Sequence, residues 1–183
     1  MWTGFMLALS LAASGEGQPV RTVSSVDLQR YAGRWYEISR YPNRFQESCA
    51  GDVTATYEQR DDGRIRVVNR CRRADGSLNE AEGVARVVDA RSKARLKVRF
   101  APAWLGVLPF VWGDYWVIGL SDDYRWAVVG TPDRKYLWVL GRSARLSDED
   151  RAAAEATAAE NGFDLSRLVP TTHGGGNKSG VTP

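Results

Sequence analysis

Histidine is almost missing from this sequence. The one residue, His173, stands in a glycine-rich tail. That excludes Ser–His–Asp chemistry and histidine-rich metal sites, which need an imidazole held on a folded element. Cysteine is scarce too. Cys49 and Cys71 fit either one disulfide in an exported protein or two buried thiols in a cytosolic one. If bridged, they leave no thiolate nucleophile. No glycine-rich phosphate loop follows a strand. The paired carboxylates Asp61-Asp62 and Asp122-Asp123 sit in turns, where acids serve the backbone. Charge of one sign is also lacking. The net charge is +3, from arginines spread along strands, whereas nucleic-acid binding gathers Lys and Arg on one face or helix. No apolar run is long enough to cross a bilayer. Residues 1–14 have the short apolar core and following small residues of a secretory signal, without a preceding lysine or arginine. No cysteine follows that core, so no lipid anchor is expected there. Export, to a periplasmic or outer-membrane-associated location, is expected, and that favours the disulfide. No cofactor, metal or nucleic-acid partner is expected.

What the chain does contain is alternation. Its 183 residues suit one domain that buries about 70% of its unfolded surface. Gly33–Tyr41 begins at a glycine and continues as an aromatic-rich strand, after a helical turn at Val26–Tyr31. Tyr41–Ser48 contains a proline and no period, so it reads as a loop. Asp52–Tyr57 and Arg64–Cys71 alternate on either side of Asp61-Asp62-Gly63, a hairpin. Folding that hairpin sets Cys71 opposite roughly position 53, so a bulge or a bend at Gly51 is needed to bring Cys49 within bridging reach. Glu80–Val88 and Arg95–Phe100 follow. The latter carries three basic residues on one face and three apolar on the other, the mark of an antiparallel sheet with one wet side. Asp114–Leu120, Arg125–Gly130 and Tyr136–Arg142 complete about eight strands joined mainly by short turns. The spacing predicts an all-β fold: an eight-stranded antiparallel up-and-down barrel, whose interior is just wide enough for one small ligand. After Leu146 the pattern changes. Ser147 caps an alanine-rich helix that ends at Gly162 and is expected to pack outside the barrel. Residues 15–25 read as a linker, 26–170 as the barrel with its C-terminal helix, and 171–183 as a disordered tail.

Gly33-x-Trp35, opening the first strand after a helical turn, resembles the lipocalin signature. The Ser121-Asp122-Asp123-Tyr124 turn resembles the family's turn between strands six and seven, with serine and aspartates in place of the usual threonine. Arg142, ending Leu137-Trp138-Val139-Leu140-Gly141-Arg142, stands where the family places an arginine across the Gly-x-Trp tryptophan. In an up-and-down barrel these three stretches fall at one end. The resemblance covers residues 26–170 and is nearest the bacterial and apolipoprotein D-like branch. It implies a closed end built from Gly33, Trp35, Asp123, Tyr124 and Arg142, with the guanidinium stacked on the indole.

Putting charges outside sorts the faces. Val53, Ala55, Tyr57, Ile65, Val67 and Asn69 then point inward on the first hairpin. Ala81, Gly83, Ala85, Val87, Leu96, Val98 and Phe100 do so on the next two strands. Trp138 and Leu140 face inward on the last strand, and Trp126 and Val128 on the seventh. From these, Val53, Ala55, Tyr57, Val67, Asn69, Val98, Phe100, Trp126, Val128 and Trp138, with Glu37, Ser39, Tyr115 and Val117, are the candidate ligand-lining set, and the mix of small and aromatic inward residues suggests space inside. Glu37 and Asn69 are inward polar residues, and a buried carboxylate needs a partner. The 101–113 connection holds Trp104, Leu105, Val107, Leu108, Phe110, Val111 and Trp112 with no charge. It reads as a lid, a membrane-touching lip, a dimer contact through 104–112, or a loop folded on its own barrel. The function this favours is a non-enzymatic carrier of a hydrophobic or amphipathic small molecule such as a fatty acid or lysophospholipid. The alternatives are an enzyme acting on a lipid or isoprenoid with Glu37 as acid or base, and a structural envelope protein.

Overall fold

The computed structural model describes residues 17–100 and 111–174. The signal-like segment and the lip residues 104–110 lie outside them. A short helical turn, α1 (Leu28–Tyr31), leads into β1 (Gly33–Arg40). Then follow β2 (Gly51–Gln59), β3 (Ile65–Arg72), β4 (Leu78–Val87), β5 (Arg95–Arg99), β6 (Gly113–Leu120), β7 (Trp126–Gly130) and β8 (Leu137–Gly141). Helix α2 (Asp148–Glu160) and a two-residue β9 (Val169–Pro170) follow. Each strand pairs antiparallel with the next, β8 returns to β1, and β1 pairs with β2. The sheet is a closed eight-stranded barrel with no free edge along its closed half.

Closure changes character along β1. Gly33–Tyr36 pair with Thr54–Tyr57 of β2, while Ser39 and Arg40 pair with β9 instead. The C-terminal segment thus fills the seam where β1 and β2 separate. Thr171 N–H donates to the Ile38 carbonyl, and Asp52 N–H, from a left-handed backbone (φ 53), donates to the Thr172 carbonyl. Tail residues 171–174, expected to be disordered, are therefore held in place. Residues 15–25, expected as a linker, also pack from Val20 onward. Val20 and Val26 are buried, and Val23 N–H donates to the Val117 carbonyl. Val20, Val23 and Val26, three residues apart, give the chain apolar groups to lay on the barrel.

The register between β2 and β3 shifts between Gly51 and Thr54. This irregularity at Gly51 closes the gap foreseen for the cysteines, and Cys49 and Cys71 form a disulfide with Cα atoms 5.6 Å apart.

Two apolar clusters organise the molecule. The inner one fills the barrel with Trp35, Tyr57, Val67, Leu96, Val117, Ala127, Val129 and Leu140 among others. The outer one lies between α2 and the wall, joining Ala154 and Ala158 to Trp126, Val128, Val139 and Phe163. Ser147 caps α2 by accepting from Asp150 N–H. Its alanine face comes so close that a Cβ at Gly119 would lie 2.7 Å from Thr157. Trp126 and Val128 consequently point out of the barrel, not in, and Ala127 and Val129 take the interior. Both faces of β7 are buried, so the strand has no polar face from which its orientation could be read.

Candidate ligand site in the barrel

The closed end is a plug. Gly33 adopts φ +93 and leaves room for Arg142, whose Nη1 would lie 3.4 Å from a Cβ there. The Arg142 guanidinium carbon sits 3.9 Å from the centre of the Trp35 ring. Its nitrogens donate to the carbonyls of Ala32 (2.9 Å), Arg34 (3.1 Å), Tyr124 (3.4 Å) and Arg30. Trp35 is fully buried and its Nε1 donates to the Tyr31 carbonyl. Tyr124, with φ 64, accepts from Asp27 N–H through its hydroxyl. Asp123 accepts from Arg125 N–H and pairs with the Arg125 side chain. The five residues assigned to this end fall together there.

Above the plug, three tyrosines meet. Tyr115 shares hydroxyl hydrogen bonds of 2.8 Å with both Tyr31 and Tyr57. Burial pushes the phenol of Tyr57 up to about 12 and raises Tyr31 and Tyr115 well above their ordinary value, so all three stay protonated. They share the lining of a cavity with Val26, Ile65, Val67, Leu96 and Val98. Its volume is about 20 Å³, room for about one water. This half of the barrel is far better filled than the sequence suggested.

Toward the mouth the interior turns polar. Glu37 faces inward opposite Leu140 and is buried. A shift in register between Glu37 and Ser39 then reverses the alternation. Ser39 lies opposite Val139, an outer-cluster residue, and Arg40 lies opposite the inward Trp138. Ser39 thus leaves the expected lining and Arg40 joins it, with Nε 3.2 Å from Glu37 Oε1. Gln46, on a 3₁₀ turn of the β1–β2 loop, folds over this pair. Its Nε2 donates to Glu37 Oε2 at 2.6 Å, and its Oε1 accepts from Trp138 Nε1 at 3.0 Å. Thr171 donates to Glu37 Oε1 at 2.5 Å, and the His173 ring binds the Glu37 carbonyl at 2.6 Å. Burial raises the Glu37 carboxyl above its usual range, more than Thr171, Gln46, Arg40 and His173 lower it.

Of the expected lining, Ala55, Tyr57, Val67, Val98, Tyr115, Val117 and Trp138 face the inner cluster. Asn69 is paired with Ala55, and Val53 is buried. Phe100 packs over Gly83 at the rim, 43% exposed, and does not enclose the cavity. Trp112, the described end of the apolar connection, is flanked by the guanidinium groups of Arg86 (4.5 Å) and Arg99 (5.0 Å). Arg40, Gln46, Tyr31 and Thr171 escaped the sequence reading. A bulge leaves no mark in residue spacing, and the other three lie outside the strands whose parity was used. The four-residue step from Tyr31 to Trp35 is the one usable signal among them.

Comparison with known proteins agrees with this architecture. The model of a family described as a lipocalin-like domain matches residues 26–173. The outer membrane lipoprotein Blc of Escherichia coli K12 is 39% identical, over 91% of this chain and 90% of that protein. Apolipoprotein D of Cavia porcellus is 29% identical, over 92% and 95%. Insecticyanin from the tobacco hornworm Manduca sexta superposes with a TM-score of 0.67 over 85% of each chain at 19% identity, a likeness of fold.

Proposed function

The chain belongs to the lipocalin family, and from that premise we propose that it is an exported carrier or store of an amphipathic ligand, a fatty acid or lysophospholipid. Lipocalins bind small hydrophobic molecules, and the observation that carries the finer reading is the polarity gradient along the lumen. Trp35 and Arg142 stop one end, apolar side chains fill the middle, and an inward Glu37–Arg40 ion pair stands toward the other. Such a gradient suits a chain buried tail-first, with Arg40 beside an anionic head group and Glu37 beside a cationic one. Burying methylenes supplies the affinity, at about 0.8 kcal/mol each before ordering costs. A ligand of this kind needs the inner side chains to rearrange, because the resting cavity is small. The disulfide and the kinship with an outer membrane lipoprotein support an envelope location. Membrane contact or dimerisation through 104–112 remains part of the proposal, as a route for loading.

Glu37 as a catalytic acid or base is the weaker reading. Both of its oxygens already accept hydrogen bonds, from Thr171 and Gln46, which suits an anchoring group better than a proton carrier. The test is native mass spectrometry of delipidated protein after exposure to fatty acid and to lysophospholipid, with Arg40→Ala alongside. Stoichiometric adducts weakened in the variant are expected. No adduct with either lipid would sink the carrier reading, and release of a chemically altered lipid would favour an enzyme.

A further inference from the structure

We infer that Tyr31, Tyr57 and Tyr115 form a hydrogen-bond donor at the floor of the lumen, which receives an uncharged oxygen at the buried end of the ligand: a hydroxyl or a carbonyl. This rests on the carrier reading and narrows its ligand class. Each phenol carries one proton, and the three hydroxyls make two hydrogen bonds, Tyr31 to Tyr115 and Tyr57 to Tyr115. One proton is left over, and no further acceptor for it is found among the described residues. Buried donors in folded proteins are nearly always satisfied, so a fourth oxygen belongs here. The cavity lined by these rings has the volume of about one oxygen-sized group, about 20 Å³.

Its charge state follows from the surroundings. The phenols stay neutral. The guanidinium of Arg142 lies across Trp35 and is spent on backbone carbonyls, so a carboxylate at the floor would be buried without a counter-charge. An alcohol, ketone or ester carbonyl meets no such penalty. The donor is also rigid. Tyr31 packs on Trp35 and Tyr57 with ring centres 4.9 and 5.5 Å apart, and Tyr57 packs on Tyr115 at 5.9 Å. Rings held this way make an oriented contact at little entropic expense. Packing alone would be served as well by three phenylalanines, which fill the same space and leave no proton over.

The test compares hexadecanoate, ω-hydroxyhexadecanoate and hexadecanedioate on delipidated protein by calorimetry. The partner protein is the triple variant Tyr31→Phe/Tyr57→Phe/Tyr115→Phe. A single substitution leaves at least one proton over, two where the central Tyr115 is the residue changed, whereas the triple change removes the donor and keeps the rings. The preference for ω-hydroxyhexadecanoate over hexadecanoate is expected to drop about tenfold from the native protein to the variant. Hexadecanedioate is expected to show no such drop. A preference equal in both proteins overturns the proposal and assigns the spare proton to a resident water. A second readout uses only the native protein. The carbonyl stretch of a bound terminal methyl ketone of the same length is expected below its value in hydrocarbon solvent, and a hydrocarbon-like value overturns the proposal equally. If none of the three acids binds either protein, the fatty-acid form of the carrier reading fails and the donor floor falls with it. Hexadecanoate bound with an unchanged preference removes only the floor.

Discussion

The two ends of this barrel are built on different principles. At the closed end Arg142 and Trp35 spend their donors on backbone carbonyls within one compact cluster. At the open end the polar groups bind one another across distant parts of the chain. Gln46 comes from a loop, Trp138 from β8 and Thr171 from the C-terminal segment, and all converge on Glu37 or its partner. The rim around them exposes Phe45 and Leu78, 61% and 75% accessible. A cluster that ties side chains to backbone specifies a fold, since nothing in it can exchange partners without unfolding a strand. A network of side chains can be re-partnered by a ligand. Substitutions at the two ends should therefore separate stability from binding.

The largest effect is expected at the plug. Arg142→Ala removes the contact with the indole and the bonds to four carbonyls, and should lower unfolding free energy by about 4 kcal/mol. Denaturant titration checks this. At matched native population, ligand affinity should be unchanged; a variant of native stability that has lost binding would reverse the assignment of the two ends. Next in size is the disulfide. It spans 22 residues, and exchanging both cysteines for alanine should cost about 3 kcal/mol. Because it ties the mouth ends of β2 and β3, the loss should also speed hydrogen exchange at Ala50 and Gly51 while sparing the plug.

The difference between the ends also decided what could be read from sequence. The plug was legible because Gly33, Trp35, Tyr124 and Arg142 each carry a distinctive residue type, and up-and-down topology alone brings them to one end. The lining of β2, β3 and β5 was legible because their outer faces carry charges, and Glu58 of β2 does pair there with Arg66 of β3. That signal vanishes on β7. Its outer face is covered by α2, so Trp126 and Val128 were assigned to the wrong side. At the mouth, one shift of register exchanged Ser39 for Arg40. Parity cannot report an extra residue in a strand. The filled interior was equally hidden, because small residues at Ala55 and Ala85 are compensated by Tyr57 and Tyr115 in the space beside them.

A truncation probes the seam. Ending the chain after Leu168 removes the segment between β1 and β2, with the bonds Thr171 N–H to Ile38, Asp52 N–H to Thr172 and Gly174 N–H to Asp52. The loss should be about 2 kcal/mol. Hydrogen exchange should rise at Asp52, while the Arg34 and Tyr36 amides keep their protection. Protection that also collapses near Gly33 would mean that the two ends are not independent.

The smallest effect is expected at Glu37, and its sign depends on pH. Burial lifts this carboxyl above its ordinary 4.5, so the folded protein holds the proton more tightly than the unfolded chain does. Its contribution is fully present below 4.5 and is lost as pH rises through the elevated value of the folded state. Asp52, on the other side of the seam, runs the opposite way. Arg72 and the Gly174 N–H hold it below 3.8, so its contribution is present above 3.8 and disappears as pH falls through the folded value. Glu37→Gln should therefore be neutral or slightly stabilising near neutral pH, within about 1 kcal/mol, and destabilising by comparison near pH ~4. Asp52→Asn should flatten the acid limb and leave the Glu37-linked fall above 4.5 unchanged. Unfolding free energies of the two variants and the parent, measured across that span, separate these slopes. A Glu37→Gln profile parallel to the parent's would place Glu37 in an environment no different from water, and the mouth would then hold no buried carboxylate with which to meet a cationic head group.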